Sequence, residues 1–584
     1  MHILVPARRV ARPVRMLVRL APVSCIALPH TALAQAIERN PAPVLQPQPA
    51  MPVPPVEVDP AADPTPLGVT LTGITLVAGD AAGAATESAG IRLQGIDDAP
   101  WLAGRLRHFL GRPLSQREIS AIKAAIARAY RDHGRPFVHV SAPEQELSSG
   151  VLTLRVERFR LGQARISGTG AGEAAHLSAA IRQQPGAPID AQALSDDLDW
   201  LNRYPFRRVE AVFEPGQQFG ATDVTYVATR QRPWAIGGGY ANSGSPNTGT
   251  GRYFLYALAR IPGLRDGYAS YQLTTSGQRL TGLGAHPGGS SRYVSQAGRL
   301  SLAIAPRTSL EANVGDIRSN QPFEAFDARQ HTREYGLTVR TALANVAARL
   351  RGEVYAGLDW KTQSSSLLFG DLLVRPQSRF HVGQVTAGYA VQANDARGTT
   401  LIDVAVHVSP GGIDSYNRGA AFRAASQGQF GAARYAYASG VVSRRTRLRG
   451  FSLVQQLNWQ FAGVALPQTE LLGIGGRGQV RAYTLDDGAF DRGAVLRNEL
   501  RLDPLRIGHG HWTSTLEPWL YLDGGYAGRL RGGAAGPVAA AGAGGDWALA
   551  RRVTLSGDVG VAMKSLGATR AGDVRANVRA TLAL

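Results

Sequence analysis

Cysteine is almost missing from this chain: Cys25 is the only one. It falls in an N-terminal stretch that reads as a cleaved signal, so the mature chain is expected to carry no thiol. That excludes a disulfide framework, a thiolate metal site and a cysteine nucleophile. Lysine is nearly as scarce, present only at Lys123, Lys361 and Lys564. None of these follows a glycine, which excludes a phosphate-cradling P-loop. The chain lacks H-E-x-x-H and G-x-S-x-G, so neither a zinc protease nor a serine-hydrolase elbow is indicated. No run of eighteen apolar residues occurs, so no transmembrane helix is expected. A membrane role would then require a closed β-barrel, the other structure that satisfies every backbone polar group in lipid.

The chain is strongly basic and rich in glycine, with a formal charge of +19, a pI near 10.4 and 68 glycines in 584 residues. The positive charge is almost all arginine, dispersed rather than clustered among aromatics, which argues against nucleic-acid binding. Abundant glycine suits a turn-rich β protein better than a helical one. His509 and His511 flank Gly510 in a turn-like stretch without a nearby third ligand, so they read as polar turn residues, not a metal site. No metal, cofactor or enzymatic activity is expected.

The chain divides by composition. Arg8, Arg9, Arg12, Arg15 and Arg19 precede a short apolar run at 20–28 and an A-x-A cleavage motif, Ala32-Leu33-Ala34. Residues 1–34 therefore read as a signal peptide, with Gln35 the first mature residue. Residues 35–66 are proline-rich and read as a polyproline-like periplasmic linker. Residues 67–158 read as an α+β module. Strands are expected at 69–77, 90–95, 137–141 and 151–156, and a helix at 115–133. Ser115 and Glu118 have capping-box spacing, Ile119, Ile122, Ile126 and Tyr130 share one face, and Gly134 is placed to end the helix. Residues 159–232 repeat the plan, with helices at 174–183 and 191–202 and strands at 164–167, 209–213 and 223–228.

From about residue 233 to 584 helical periodicity gives way to period-two alternation. At 351–361, Val354, Ala356, Leu358 and Trp360 take one face, and Glu353, Tyr355, Asp359 and Lys361 the other. At 516–525, Leu516, Leu520 and Leu522 oppose Glu517, Tyr521 and Asp523. Such segments of roughly ten residues match tilted barrel strands, apolar outward and polar inward.

The motifs add a resemblance. Pro143, Gln145, Leu147, Gly150 and Leu152 lead into Ile166 and Gly168, and Pro215, Gly216, Gly220 and Asp223 close the second module. Gly475-Gly476 precede Val480-Arg481-Ala482-Tyr483, then an acidic stretch and Arg497-Asn498-Glu499-Leu500. Tyr521, Asp523 and Gly525 match an aromatic-x-Asp-x-Gly strand motif. Together these resemble the outer-membrane transporters of two-partner secretion (the TpsB family, of haemolysin/haemagglutinin secretion-activation type), a branch of the Omp85 superfamily. The resemblance implies two POTRA domains in the periplasm and a barrel of about 16 antiparallel strands. It also implies a loop around 473–493 that folds into the lumen, where Arg481 reaches Asp523. The residues alone read Arg481 as a solvated loop arginine; the resemblance implies the ion pair. Ala482 replaces the family's usual glycine, which would strain a positive φ. The terminal Leu584 replaces the usual aromatic, and the proline content of 35–66 speaks against a long plugging helix. The implied function is ATP-independent export of a secreted partner exoprotein, which arrives unfolded, by a monomer in contact with outer-membrane lipid and lipopolysaccharide. A barrel-assembly factor of the same superfamily and a passive porin are the alternatives.

Overall fold

The computed structural model describes residues 37–43, 62–79, 88–96, 99–133, 135, 137–218, 220–276, 292–323, 325–347, 350–370, 372–395, 397–508, 514–531, 535–549 and 552–584. The expected signal peptide, most of the proline-rich stretch, Gly134, His509 and His511 lie outside the described residues.

The first module is a four-stranded sheet in the order Gly90–Gln94, Gly73–Ala78, Val151–Arg158, Val138–Ser141. The helix Gln116–Asp132 covers it. Its apolar stripe supplies Ile122, Ile126 and Tyr130 to a core shared with Ile74, Leu76, Leu152 and Leu154. Ser115 caps the helix by accepting from the Glu118 amide at 3.1 Å. The reciprocal half of the expected capping box is replaced: the Glu118 carboxylate accepts from Arg112 at 3.3 Å. The expected strand at 69–77 is two strands, Pro66–Thr70 and Gly73–Ala78.

The second module orders its sheet Arg160–Ser167, Ala221–Arg230, Arg207–Pro215. Helix Ala191–Leu201 starts on the Asp190 side chain, which accepts from two amides. The first helix runs Ala171–Ser178, earlier than the expected 174–183. Pro185 disfavours helical geometry at Gln184, and the chain turns extended before it. Phe137 and Phe213, 5.0 Å apart, join the two modules.

The remainder closes into a barrel of sixteen antiparallel strands. They are β1 (Trp234–Ala241), β2 (Arg252–Arg260), β3 (Tyr268–Thr275), β4 (Tyr293–Ala305), β5 (Thr308–Phe323), β6 (Phe326–Ala342), β7 (Glu353–Phe369) and β8 (Leu372–Asp395). There follow β9 (Gly398–Ser409), β10 (Tyr435–Leu448), β11 (Phe451–Ala462), β12 (Arg492–Leu502, resumed at Leu505–Ile507 after Pro504), β13 (Ser514–Gly528), β14 (Gly536–Leu549), β15 (Val553–Ala562) and β16 (Val574–Ala583). Each pairs with the next, and β1 closes on β16 from Gly237 opposite Ala583 to Ala241 opposite Arg579. Alternation fixes the faces: Leu358 is 61% and Leu520 56% exposed on the outside, whereas Tyr521 and Asp523 are buried inside. Among the described residues no helix is long and apolar enough to cross a membrane; the strands present the apolar face instead.

The second module is clamped to the turns at one end of the barrel. Asp266, in the β2–β3 turn, accepts from both terminal nitrogens of Arg207 at 2.6 and 3.0 Å and lies 3.2 Å from His176. Burial alone would raise the Asp266 carboxyl, but the hydrogen bonds from His176 and Arg207 outweigh it and hold it at about 2. Arg307, in the β4–β5 turn, donates to Asp197, which also binds Arg182. Arg203 donates to Glu353 at the start of β7.

One placement departs from the sequence expectation. Residues 37–43, read as part of a periplasmic linker, lie inside the barrel. Arg252 on β2 donates to both Glu38 carboxylate oxygens at 2.8 and 2.6 Å, and Tyr293 on β4 donates to the Glu38 carbonyl at 2.7 Å. The stretch is irregular, not helical, in keeping with its proline content. Its charged pair is complementary to the lumen wall, a property that linear composition does not reveal.

Candidate functional site

The loop between β11 and β12, residues 463–491, turns inward instead of out. A short ladder pairs its two limbs, Leu472 opposite Phe490 and Gly473 opposite Ala489. This ladder narrows the loop into a finger. Gly475 allows the limbs to close, because a Cβ there would lie 1.9 Å from the Thr484 carbonyl oxygen, and Gly476 has φ +93°. The tip carries Val480, Arg481, Ala482 and Tyr483, all buried.

Arg481 is fully enclosed, 1% exposed, and Asp523 on β13 is 0% exposed. Nε of Arg481 donates to Oδ2 of Asp523 at 2.8 Å, and a terminal nitrogen donates to Oδ1 at 2.6 Å. The second terminal nitrogen donates to Glu499 on β12 at 2.7 Å. The Tyr521 ring lies 3.8 Å and the Trp519 ring 5.0 Å from the guanidinium carbon. A fork-on-fork pair flanked by aromatic faces gives the tip one orientation. The Arg481 carbonyl accepts from Asn577 on β16 at 3.2 Å, and Asn577 also donates to Asp558 on β15 at 2.8 Å. The tip socket thus draws on β12, β13, β15 and β16.

The other motif residues complete the seat. Tyr483 donates to the Lys564 carbonyl at 2.6 Å, beyond the end of β15. Val480 packs in a cluster with Ile474, Phe490 and Val495. Ala482 does not have a positive φ, so the strain expected from losing the family's glycine does not arise. Gly525 lets β13 lie close to β12, since a Cβ would stand 2.4 Å from the Ala494 carbonyl oxygen. The acidic stretch after the tip is an anchor: Asp487 accepts from the Ala568 and Thr569 amides at 2.9 and 2.8 Å, in the β15–β16 loop.

The POTRA-motif residues lie apart from this site, in the modules, where they shape the backbone. Gln145 imitates a strand neighbour, donating to the Thr153 carbonyl at 2.8 Å and accepting from the Thr153 amide at 2.7 Å, while it also donates to Pro143. Gly150 and Gly168 have positive φ, and a Cβ at Gly168 would meet the Ala228 carbonyl oxygen at 2.3 Å.

Sequence reasoning missed Glu499, Asp558 and Asn577 as partners of the tip. The available signal was parity, which sets each on a lumen face of its strand. It also missed the root of the loop, where Glu470 is buried against Lys361 and Tyr437; an aperiodic loop gives no such signal.

Comparison with known proteins agrees with this architecture. The family model described as POTRA domain, ShlB-type matches residues 89–158, and that of the haemolysin secretion/activation protein ShlB/FhaC/HecB matches residues 319–547, which include the whole loop and Asp523. An outer membrane transporter CdiB-2 of Burkholderia pseudomallei (strain 1026b) is 23% identical over 175 residues, 29% of this chain and 29% of that protein. Outer membrane transporter CdiB of Escherichia coli O6:K15:H31 (strain 536 / UPEC) is 28% identical over 134 residues, 23% of each chain. The matched stretches span less than a third of these relatives. The solved structure of CdiB from Escherichia coli is similar in fold, with a TM-score of 0.59 at 19% identity over 91% of this chain and 94% of that one.

Proposed function

Since the chain belongs to the outer-membrane transporters of two-partner secretion, within the Omp85 superfamily and with its POTRA domains in the periplasm, we propose that it recognises and exports one partner exoprotein. The observation that carries the reading is the finger docked inside the barrel by a buried ion cluster, together with an α+β module clamped to the barrel turns, which a passive porin does not carry. Arg481, Asp523 and Glu499 hold the finger in the lumen, and this docking gates the conduit or stabilises its conducting state, so a finger that cannot dock opens the barrel without exporting the client.

The client arrives as an extended chain. Gly90–Gln94 and Arg207–Pro215 are each one of the two outer strands of a POTRA sheet, with one edge unpaired among the described residues, and an extended segment adds there by main-chain hydrogen bonds. Clamping of the second module to the barrel turns hands that segment to the lumen mouth. Direction comes from folding of the client outside, which prevents return, not from nucleotide hydrolysis. The client is haemolysin- or haemagglutinin-like, and the transporter acts as a monomer without a cofactor or metal, in contact with outer-membrane lipid and lipopolysaccharide. No catalytic step is assigned.

Co-expression with the cognate exoprotein tests this. Deletion of residues 67–232 is expected to abolish secretion of the client, and Arg481→Ala to reduce it strongly at normal barrel levels. If the deletion leaves secretion intact, the transporter reading fails. If it instead impairs insertion of unrelated outer-membrane barrels, the assembly-factor reading replaces it.

A further inference from the structure

The finger is held at its root as well as at its tip. The root is the short 3-10 turn Gln468–Glu470, on the descending limb. The Glu470 side chain is 1% exposed. Lys361 on β7 donates to both of its carboxylate oxygens at 2.8 Å, Tyr437 on β10 donates at 2.8 Å, and Gln384 on β8 donates at 3.2 Å. The tip socket lies on β12 to β16 and the root socket on β7 to β10, so the finger spans the lumen between two arcs of wall.

The luminal N-terminal stretch reaches the same root. Arg39 donates to the carbonyl of Thr469, the residue before Glu470, at 2.5 Å, and forks onto Glu334 of β6 at 2.9 and 2.7 Å. Both cations act on both carboxylates: Lys361 and Arg39 each attract Glu334 and Glu470, which repel one another. The cluster therefore sets Lys361 and Arg39 against Glu334 and Glu470, with a third carboxylate, Asp359, bridged to Glu470 through Gln384 at 3.3 and 3.2 Å; of these groups only Arg39 belongs to the N-terminal stretch. Withdrawal of Arg39 leaves one lysine between the buried Glu470 and the half-buried Glu334, an uncompensated negative charge. The least costly relief is movement of Glu470 toward water, which means movement of the finger.

We infer that Glu470 is a positioning residue that latches the root of the finger to Lys361, and that Arg39 makes this latch conditional on the N-terminal stretch remaining in the lumen. Departure of residues 37–43 thereby loosens the finger from its root before the Arg481 socket is broken. The inference builds on the proposed conduit, but its test reads the finger's position, not secretion, so the two can fail separately.

Arg481 is buried only while the finger is docked, so trypsin cleavage after Arg481 in the purified, lipid-reconstituted full chain reports the undocked fraction when opening is fast relative to cleavage. Glu470→Gln keeps the shape and removes the charge; it is expected to raise that cleavage rate about tenfold or more, as is Lys361→Met. Lys361→Arg, which keeps the cation, is expected to stay within about threefold of the parent, a difference of well under 1 kcal/mol. Arg39→Ala is expected to raise the rate, and Arg39→Ala combined with Glu470→Gln to add nothing beyond Glu470→Gln, because both act on one latch. Heat-modifiable migration confirms a folded barrel for each variant. A parental cleavage rate in folded Glu470→Gln overturns the latch. Rates that multiply in the Arg39→Ala, Glu470→Gln double variant overturn the coupling. Should Glu470→Gln fail to fold, the contrast between Lys361→Met and Lys361→Arg decides: equal cleavage rates in those two variants overturn the latch.

Discussion

Removing the Arg481 guanidinium should cost more than removing the Asp523 charge it binds, and removing both should cost less than removing Arg481 alone. The structure makes the asymmetry calculable. Arg481→Ala deletes three charge-assisted hydrogen bonds and leaves two carboxylates, Asp523 and Glu499, in a nearly dry pocket. Breaking a buried pair in this way costs about 3–5 kcal/mol. The low end applies, since Arg497 stands directly opposite Asp523 in the β12–β13 register and offers partial relief. About 3 kcal/mol corresponds to roughly a hundredfold rise in the undocked finger. Asp523→Asn leaves Arg481 with Glu499 and with an amide oxygen still able to accept, so about 1–2 kcal/mol is expected. The double variant removes one charge of each sign and leaves no stranded carboxylate at 523, so it should recover part of the Arg481→Ala loss. Open probability in planar bilayers measures the order, with Arg481→Ala highest, and the loss of client secretion should rank the same way. Strictly additive effects, with the double variant worst, would show that the two side chains do not act as one pair, and the gating argument would fall with them.

Other consequences lie outside the membrane or in the barrel wall. The Asp199 carboxyl, on the second module, is pushed up to about 6 by burial and by its neighbour Asp196. A folded value above the ordinary 3.8 means that the folded state binds the extra proton between the two, so stability is greatest below 3.8, falls as pH rises from there to about 6 and is level above it. At most about 3 kcal/mol is involved, and Asp199→Asn should flatten thermal unfolding between about pH 4 and 6, the interval between the two values; a parent whose melting is already pH-independent there would contradict this. Gln145→Leu removes both strand-imitating bonds to Thr153 and should lower the urea midpoint of the first module, by about 1–3 kcal/mol in stability, while an unchanged midpoint would mean that water substitutes for the side chain. A Cβ at Gly560 would fall 1.6 Å from the Tyr521 hydroxyl oxygen. Gly560→Ala should therefore displace that ring from Arg481 and raise channel opening, whereas Gly478→Ala, with nothing within 4 Å, should be silent; equal behaviour of the two alanine variants would remove Tyr521 from the account.

How much of this was legible in the sequence depended on whether a residue's position obeys a period. Barrel strands do: the alternation through 516–525 put Leu520 and Leu522 outside and Tyr521 and Asp523 inside, because a pleated strand can send a side chain only one of two ways. Module helices do as well, though the first helix of the second module starts three and ends five residues before the apolar pattern placed it. The finger obeys none. Its tip could be named only through a motif, and its root, Glu470, had neither motif nor period. The luminal stretch was hidden for a different reason. Glu38 and Arg252 are 214 residues apart, and a proline-rich tether and a proline-rich lumen ligand have the same composition.

The two sockets differ in a way that bears on the order of opening. At the tip, Arg481 faces Asp523 and Glu499 with Arg497 and Arg501 close behind, the latter donating to Glu499 at 2.8 Å. Loss of one contact there is buffered by neighbouring charges, all belonging to fixed wall strands. At the root the balance includes a charge on a stretch tied to the barrel mainly through side chains, Glu38 to Arg252 and Arg39 to Glu334. The wall partners of Glu38, Arg252 and Tyr293, open β2 and β4, at the ends of those strands away from the turns that hold the second module. The physical weak point of the closed state is therefore the root cluster, whose charge balance depends on a stretch outside the barrel wall.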